Sequence, residues 1–197
     1  METDPNAVAD LLDRAGHATA AALFSQVDPL FRGRSLAIEL GIGVDAVILG
    51  HARTFDRVRG VDADPKLLTL LDQRAARQGI ANVQAFRMDQ PWDEPTGAAD
   101  YVFARNLFVQ TADWVESASH LQRIAMVLRR GGIAQLRFDT RPTSFADRFR
   151  RRLSNPDSRP VRRLESWVRD RVRGADLEII GERGPGTADH WVVARRR

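Results

Sequence analysis

The sequence predicts an α/β fold on a mostly parallel sheet, and three observations carry that expectation. Short apolar runs alternate with stretches of helical periodicity from Leu36 to Phe138, the pattern of strands joined by crossover helices. One of these junctions, Ser35 to Ala46, joins a buried-strand run to a turn holding Gly41 and Gly43 and then to a helix. The chain closes on two apolar runs, Leu177–Ile180 and His190–Ala194, around Gly184-Pro185-Gly186, a link short enough to make them antiparallel. At 197 residues the chain suits one domain with a sizeable core.

The elements follow in order. Asp4-Pro5 fits a helix cap followed by proline at the first helical position, and Val8, Leu11, Leu12 and Ala15 keep helical spacing, so a lead-in helix precedes the glycines. Leu36–Leu40 reads as a short buried strand, Ala46–Ala52 as its helix, and Val58–Asp62 as a second strand ending in an acid. Asp64-Pro65 repeats the cap signal, with Leu67, Leu68, Leu71 and Ala75 as the inner stripe of the helix it starts. Asn82–Met88 is a third strand ending at Asp89, followed by a loop over Gln90–Gly97, and Asp100–Ala104 is the fourth. Trp114 to Leu128 is helical through Val115, Leu121, Ile124 and Ala125, with Gly131-Gly132 as its stop and Ile133–Phe138 as the fifth strand. An arginine-rich helical segment at about 143–173 precedes the terminal hairpin. Residues 1–197 are therefore expected to form a single domain, with 1–34 as lead-in or lid helices and 35–197 as the core.

Composition narrows the function classes. With no cysteine, disulfides, zinc-thiolate sites and thiol nucleophiles are excluded. No apolar run reaches bilayer length, and the N-terminus, with Glu2, Asp4 and Asp10, lacks the basic start of a secretory signal, so a soluble, cytoplasmic protein is expected. Residues 1–100 carry net charge −5 and 101–197 carry +9. The excess lies in Arg148–Arg173, ten arginines against Asp157, Glu165 and Asp170. Such a segment can face nucleic acid or an anionic substrate, but only Phe149 and Trp167 interleave it, so a solvated helix face is the expected reading.

The glycine turn fits two ligands. Gly41-x-Gly43-x-x-Ala46 satisfies the dinucleotide fingerprint, with Asp62 21 residues beyond Gly41 as a ribose-binding acid. Against it, a hydride-transfer site of the Tyr-x-x-x-Lys kind is lacking, because Tyr101 is the one tyrosine and position 105 is arginine. Glu39, two residues before Gly41, would repel a pyrophosphate and suits a cationic amino acid moiety.

Glu39-x-Gly41-x-Gly43 resembles the first motif of class I S-adenosylmethionine-dependent methyltransferases, and four further stretches from Ser35 to Arg196 resemble that family's later motifs in order. They are Val61–Pro65, Asn82–Asp89, Ala99–Asn106 and Leu128–Gly132, the last with Arg130 where the family has proline. The resemblance implies a doubly wound, seven-stranded, mostly parallel sheet with an antiparallel last strand and helices on both faces. It also implies S-adenosyl-L-methionine as methyl donor, with Glu39, Gly41, Gly43, Asp62, Ala63, Asp89, Gln90 and Arg105 as donor-binding candidates: Asp62 for the ribose, Asp89 and the following backbone N–H for adenine. Asp45 stands where the family has a third glycine; it can cap the helix and bind the donor's ammonium, or hinder its carboxylate.

Methyl transfer requires alignment more than a fixed catalytic side chain, and no catalytic residue is evident. Acceptor-side candidates are His17 on the first helix, Asn106 at the end of the fourth strand, and Arg141 leaving the fifth, which suits an anionic small molecule. His51, His120 and His190 are expected away from the ligand-bearing edge, and their spacing suggests no metal site. The expected function is methyl transfer to a small molecule. The rivals are a tRNA or rRNA methyltransferase using Arg148–Arg173 and a non-catalytic subunit on the same fold; the absent Asn/Asp-Pro-Pro-Tyr/Phe signature argues against base methylation.

Overall fold

A computed structural model describes residues 24, 27–45, 47–89, 96–111, 113–141 and 164–197. The lead-in helix, the loop from Gln90 and most of the arginine-rich segment lie outside them. The described residues build a seven-stranded sheet in the order β3-β2-β1-β4-β5-β7-β6. These strands span Leu36–Leu40 (β1), Arg57–Asp62 (β2), Val83–Arg87 (β3), Ala99–Ala104 (β4), Leu128–Phe138 (β5), Leu177–Arg183 (β6) and His190–Arg196 (β7). β1 to β5 pair in parallel, and β7 inserts antiparallel between β5 and β6.

Every residue of β1 and β4 is buried, as expected of central strands covered on both faces. On one face Leu36, Ile38, Val102 and Leu136 pack with Leu121 and Ile124 of the helix Trp114–Val127 and with Val168 and Val172 of Glu165–Gly174. On the other, Ala37, Val58, Tyr101 and Phe103 pack with Ile48 and Leu49 of Ile48–His51 and with Leu68 and Leu71 of Pro65–Arg77. In chain order these helices are α1 (48–51), α2 (65–77), α4 (114–127) and α5 (165–174), with α3 as the single turn Leu107–Gln110 after β4.

Polar groups fix the registers. The Asp64 carboxylate accepts the Lys66 N–H at 2.9 Å and caps α2, as its sequence predicts, and Asp113 caps α4 in the same way at Val115. Asn82 donates to the carbonyls of Ala52 and Phe55, both at 2.8 Å, tying the entry of β3 to the end of the preceding turn. Buried Asp100, at the start of β4, accepts the N–H groups of Ser35 and Leu36 and pairs with Arg129, tying the entries of β1 and β5 to β4 between them.

Four expectations need correction. Gly131-Gly132 do not stop α4: the helix ends at Val127 and β5 begins at once, with the glycines inside an irregularity where Ala99 faces Leu128 but Tyr101 faces Ile133. Gly131 takes φ +77°, and a Cβ on Gly132 would lie 2.9 Å from the Arg129 carbonyl, so both serve this bulge. Val115 is 75% exposed and lies off the buried stripe of α4 that carries Leu121 and Ile124. The helix expected over Ala46–Ala52 is reduced to Ile48–His51, and the turn α3 appears where no helix was foreseen.

His51 closes the second core. Its ring lies 4.7 Å from that of Phe24, 5.3 Å from Tyr101 and 5.8 Å from Phe103, and Nε2 has no hydrogen-bond partner among the described residues. Burial pushes its pKa from 6.5 down to about 4, so it folds neutral. Between those values the unfolded chain binds a proton that the folded chain does not, and stability falls as pH falls. The stability difference between wild type and His51→Phe, followed by chemical denaturation from pH 7 to 4, should shift against the wild type by on the order of 2–3 kcal/mol across the window. Parallel profiles would assign the acid sensitivity elsewhere.

Candidate functional site

The carboxyl ends of β1, β2 and β4 converge at the glycine turn. Gly41 and Gly43 take φ +71° and +59°, where a side chain would be strained. Neighbours add a second reason for glycine: a Cβ on Gly41 would lie 2.9 Å from the Leu107 nitrogen, and one on Gly43 only 2.5 Å from Asn106 Nδ2. The turn after β1 and the loop after β4 therefore meet at backbone contact. The Gly41 N–H donates to the Val61 carbonyl at 2.8 Å, and Asn106 Nδ2 donates to the Gly41 carbonyl at 3.3 Å.

Three charges lie beneath and beside this turn. Glu39 is 1% exposed; its Oε2 accepts the Ile48 N–H at 2.7 Å, while Oε1 has no partner among the described residues. Burial raises its pKa to about 8, helped by the nearby Asp62 charge and opposed by the Ile48 N–H and by Arg105. Asp45 does not cap α1, where Val47 is the cap residue; its carboxylate forms an ion pair with Arg105. Asp45 has no positive φ, so this third glycine position is open to a side chain without backbone strain. Burial lowers the Arg105 pKa, while Glu39 opposes the shift, Arg137 adds to it and Asp189 opposes it.

Asp62, at the end of β2, is 8% exposed and its Oδ1 accepts the Asp64 N–H at 2.9 Å, which fixes its rotamer. A cavity of about 220 Å³ opens beside it, lined by Gly41, Asp62, Ala63 and Met88 together with Leu107, Glu116 and His120. His120 thus stands in the wall, contrary to its expected place away from this edge. Burial lowers its pKa against the pull of Glu116, whose Oε1 lies 3.5 Å from Nε2. Asp89, in contrast, is held outside by Arg87, with bonds of 3.0 and 2.6 Å, and its side chain is 63% exposed.

Toward β5 the candidates are engaged with other groups. Arg141 donates from Nε and Nη2 to buried Asp139 at 3.0 and 2.5 Å. Arg137 pairs with Asp189, which also accepts the Trp191 indole N–H at 3.0 Å. His190, expected away from this edge, reaches it: Nδ1 lies 3.2 Å from Thr140 Oγ1, and Nε2 lies 3.1 Å from Glu182. The structure thus brings together Glu39, Gly41, Gly43, Asp62, Ala63, Arg105 and Asn106, sets Asp89 apart, and leaves His17 and Gln90 outside the described residues. Sequence reading missed Glu116 and His120. Their signal was the i, i+4, i+8 row 116-120-124, which continues the buried Ile124 stripe toward the strand ends.

Residues 37–132 match the family model described as a methyltransferase domain. Among solved structures, the chain resembles a S-adenosylmethionine-dependent methyltransferase of Methanosarcina mazei, with 12% identity, TM-score 0.70, and coverage of 86% of this chain and 96% of that one. It also resembles the magnesium protoporphyrin IX methyltransferase of Synechocystis PCC 6803, solved with bound S-adenosylhomocysteine: 16% identity, TM-score 0.71, 100% of this chain and 90% of that one. A third similar structure is phosphoethanolamine N-methyltransferase 2 of Haemonchus contortus, solved with phosphomonomethylethanolamine and S-adenosylhomocysteine, with 19% identity and TM-score 0.67 over 84% of this chain and 38% of that one. No curated protein matches by sequence. No described helix is long and apolar enough to cross a membrane.

Glu39 yields a test that needs no ligand. Its pKa is 4.5 in the unfolded chain and about 8 in the fold, so between these the folded chain holds a proton that the unfolded chain has lost. Stability then falls as pH rises through that window. Glu39→Gln, which resembles the protonated acid, should remove the fall, gaining on wild type by about 1–3 kcal/mol between pH 5 and 8 in urea denaturation. A constant difference across that range would show that Glu39 ionises normally.

Proposed function

We propose that this chain, a class I S-adenosylmethionine-dependent methyltransferase, methylates a small-molecule acceptor and holds its donor along the ends of β1, β2 and β4. The observation that carries the reading is the placement of Asp62 and the Gly41 turn on one wall of a single cavity. Asp62 would accept from the ribose hydroxyls, with its carboxylate already oriented by the Asp64 N–H. The base would enter the cavity past Ala63 and Leu107.

The methionine end fits the charges across the glycine turn. An α-amino acid carries one charge of each sign, and Asp45 and Arg105 offer the complementary pair. Glu39 lies buried nearby with one oxygen that has no partner among the described residues, and it would become a further acceptor for an ammonium group only on losing the proton that burial makes it hold up to about pH 8. When bound, S-adenosylmethionine supplies a methyl carbon on a sulfonium, open to in-line attack by an acceptor lone pair. The chain's part is to align the two and exclude water, which requires no general base unless the acceptor carries a proton of high pKa.

Several facts support a small acceptor. Two structural relatives are named for small substrates, a porphyrin and a phosphoethanolamine. Arg169 pairs with Glu182 and Glu165, and Arg171 lies over the Trp167 ring, so these two arginines of the basic segment already have intramolecular partners.

Calorimetry tests the donor site. S-adenosylhomocysteine should bind, and Asp62→Ala should weaken it by about 1–3 kcal/mol, the cost of stranding polar groups; no heat at millimolar ligand would sink the reading. Arg105→Gln should weaken S-adenosylhomocysteine about tenfold while sparing methylthioadenosine, which lacks the amino acid. Equal losses for both ligands would move Arg105 away from the methionine end.

A further inference from the structure

We infer that Glu116, braced by His120, reads the amino edge of the donor's adenine, a role that the strand-end pattern assigns instead to Asp89. The inference rests on the donor reading above and adds a specificity residue to it. Glu116 and His120, one turn apart on α4, line the same cavity as Asp62, so a nucleoside whose ribose meets Asp62 has these two side chains among the groups its base can reach. Asp89 is turned away, with both its oxygens occupied by Arg87; in exposure the two acids are alike, 63% for the Asp89 side chain and 55% for that of Glu116. Ala63 projects only a methyl group into the same space, which lets the ring seat farther across the cavity toward α4.

The chemistry of the pair suits adenine in particular. An ionised carboxylate only accepts hydrogen bonds, so it complements a 6-amino group and repels a 6-oxo group. Glu116 sits in the first turn of α4, where the helix dipole favours its charge, and His120 Nε2 lies 3.5 Å from Oε1, leaving Oε2 for the base. The His120 side chain is 11% exposed and that of Glu116 55%, so the imidazole is the more fixed partner of the pair and gives the carboxylate a fixed neighbour on one side.

The test is the ratio of affinities for S-adenosylhomocysteine and its deaminated analogue S-inosylhomocysteine, measured by calorimetry on wild type, Glu116→Gln and Asp89→Asn. Wild type should favour the adenine ligand by about tenfold or more, because the oxo group would face a carboxylate. Glu116→Gln should bring the ratio toward one, since an amide can turn its N–H₂ to the oxo group, and thermal melts should show the variant folded. His120→Asn should lower the ratio partway. A wild-type ratio retained in Glu116→Gln, or lost in Asp89→Asn alone, would overturn the inference while leaving the donor site standing. Failure of wild type to bind either ligand would overturn the donor reading itself, and this inference with it.

Discussion

The site depends on one close approach: the turn after β1 and the loop after β4 touch through backbone atoms because Gly41 and Gly43 carry no Cβ. At 2.9 Å from the Leu107 nitrogen, an added carbon at Gly41 would push α3 outward. That displacement would open the cavity wall formed by Leu107 and detach the Asn106 amide from the Gly41 carbonyl. Positive φ at both glycines adds a cost of about 1–2 kcal/mol per residue for any L side chain there. The two glycines thus set the spacing between central strand ends, and the cavity is the space which that spacing leaves.

Electrostatics follow from the same closure. Sealing the turn buries Glu39 beneath it, and a carboxylate without solvent holds its proton up to about pH 8. A protonated Glu39 leaves Arg105 without a full counter-charge below the turn, and Asp45 provides one at the side. Above neutrality Glu39 ionises and Arg105 stands between two anions. The neutral and ionised states of Glu39 therefore present different fields to the space over the turn.

Much of this architecture was legible because it is written in local chemistry. Asp64-Pro65 caps α2 where it stands, β1 is buried along its whole length as its unbroken Leu-Ala-Ile-Glu-Leu run implies, and the link at Gly184–Gly186 is short enough to force an antiparallel pair. What could not be read depends on tertiary neighbours. Gly131-Gly132 carry a helix-stop signature, yet they serve a bulge because β4 and β5 run out of step between Ala99 and Tyr101. Val115 has the apolarity of a core residue but stands one position away from the stripe that faces the sheet. Asp89 follows β3 as a base-binding acid should, and only the neighbouring Arg87, projecting to the same side, draws it outward. Glu116 and His120 belong to no strand-end motif; they reach the cavity because the first turns of α4 line it together with Leu107 of the turn after β4.

Asp45 departs most clearly from the glycine-rich pattern, and the structure gives the departure a physical account. A third glycine would be required if that position needed positive φ or backbone contact, as Gly41 and Gly43 do. It needs neither, so aspartate brings charge rather than strain. An unanswered carboxylate there would oppose the carboxylate of the donor's methionine, but Arg105 reaches it from the end of β4 and makes the local pair neutral. A zwitterionic amino acid entering between them loses one ion pair and can form two, whereas a ligand carrying only an anion or only a cation leaves one partner stranded. Aspartate at this position and arginine after β4 are thus one feature, an ion pair beside the glycine turn that, on the proposed donor reading, would favour an amino acid end.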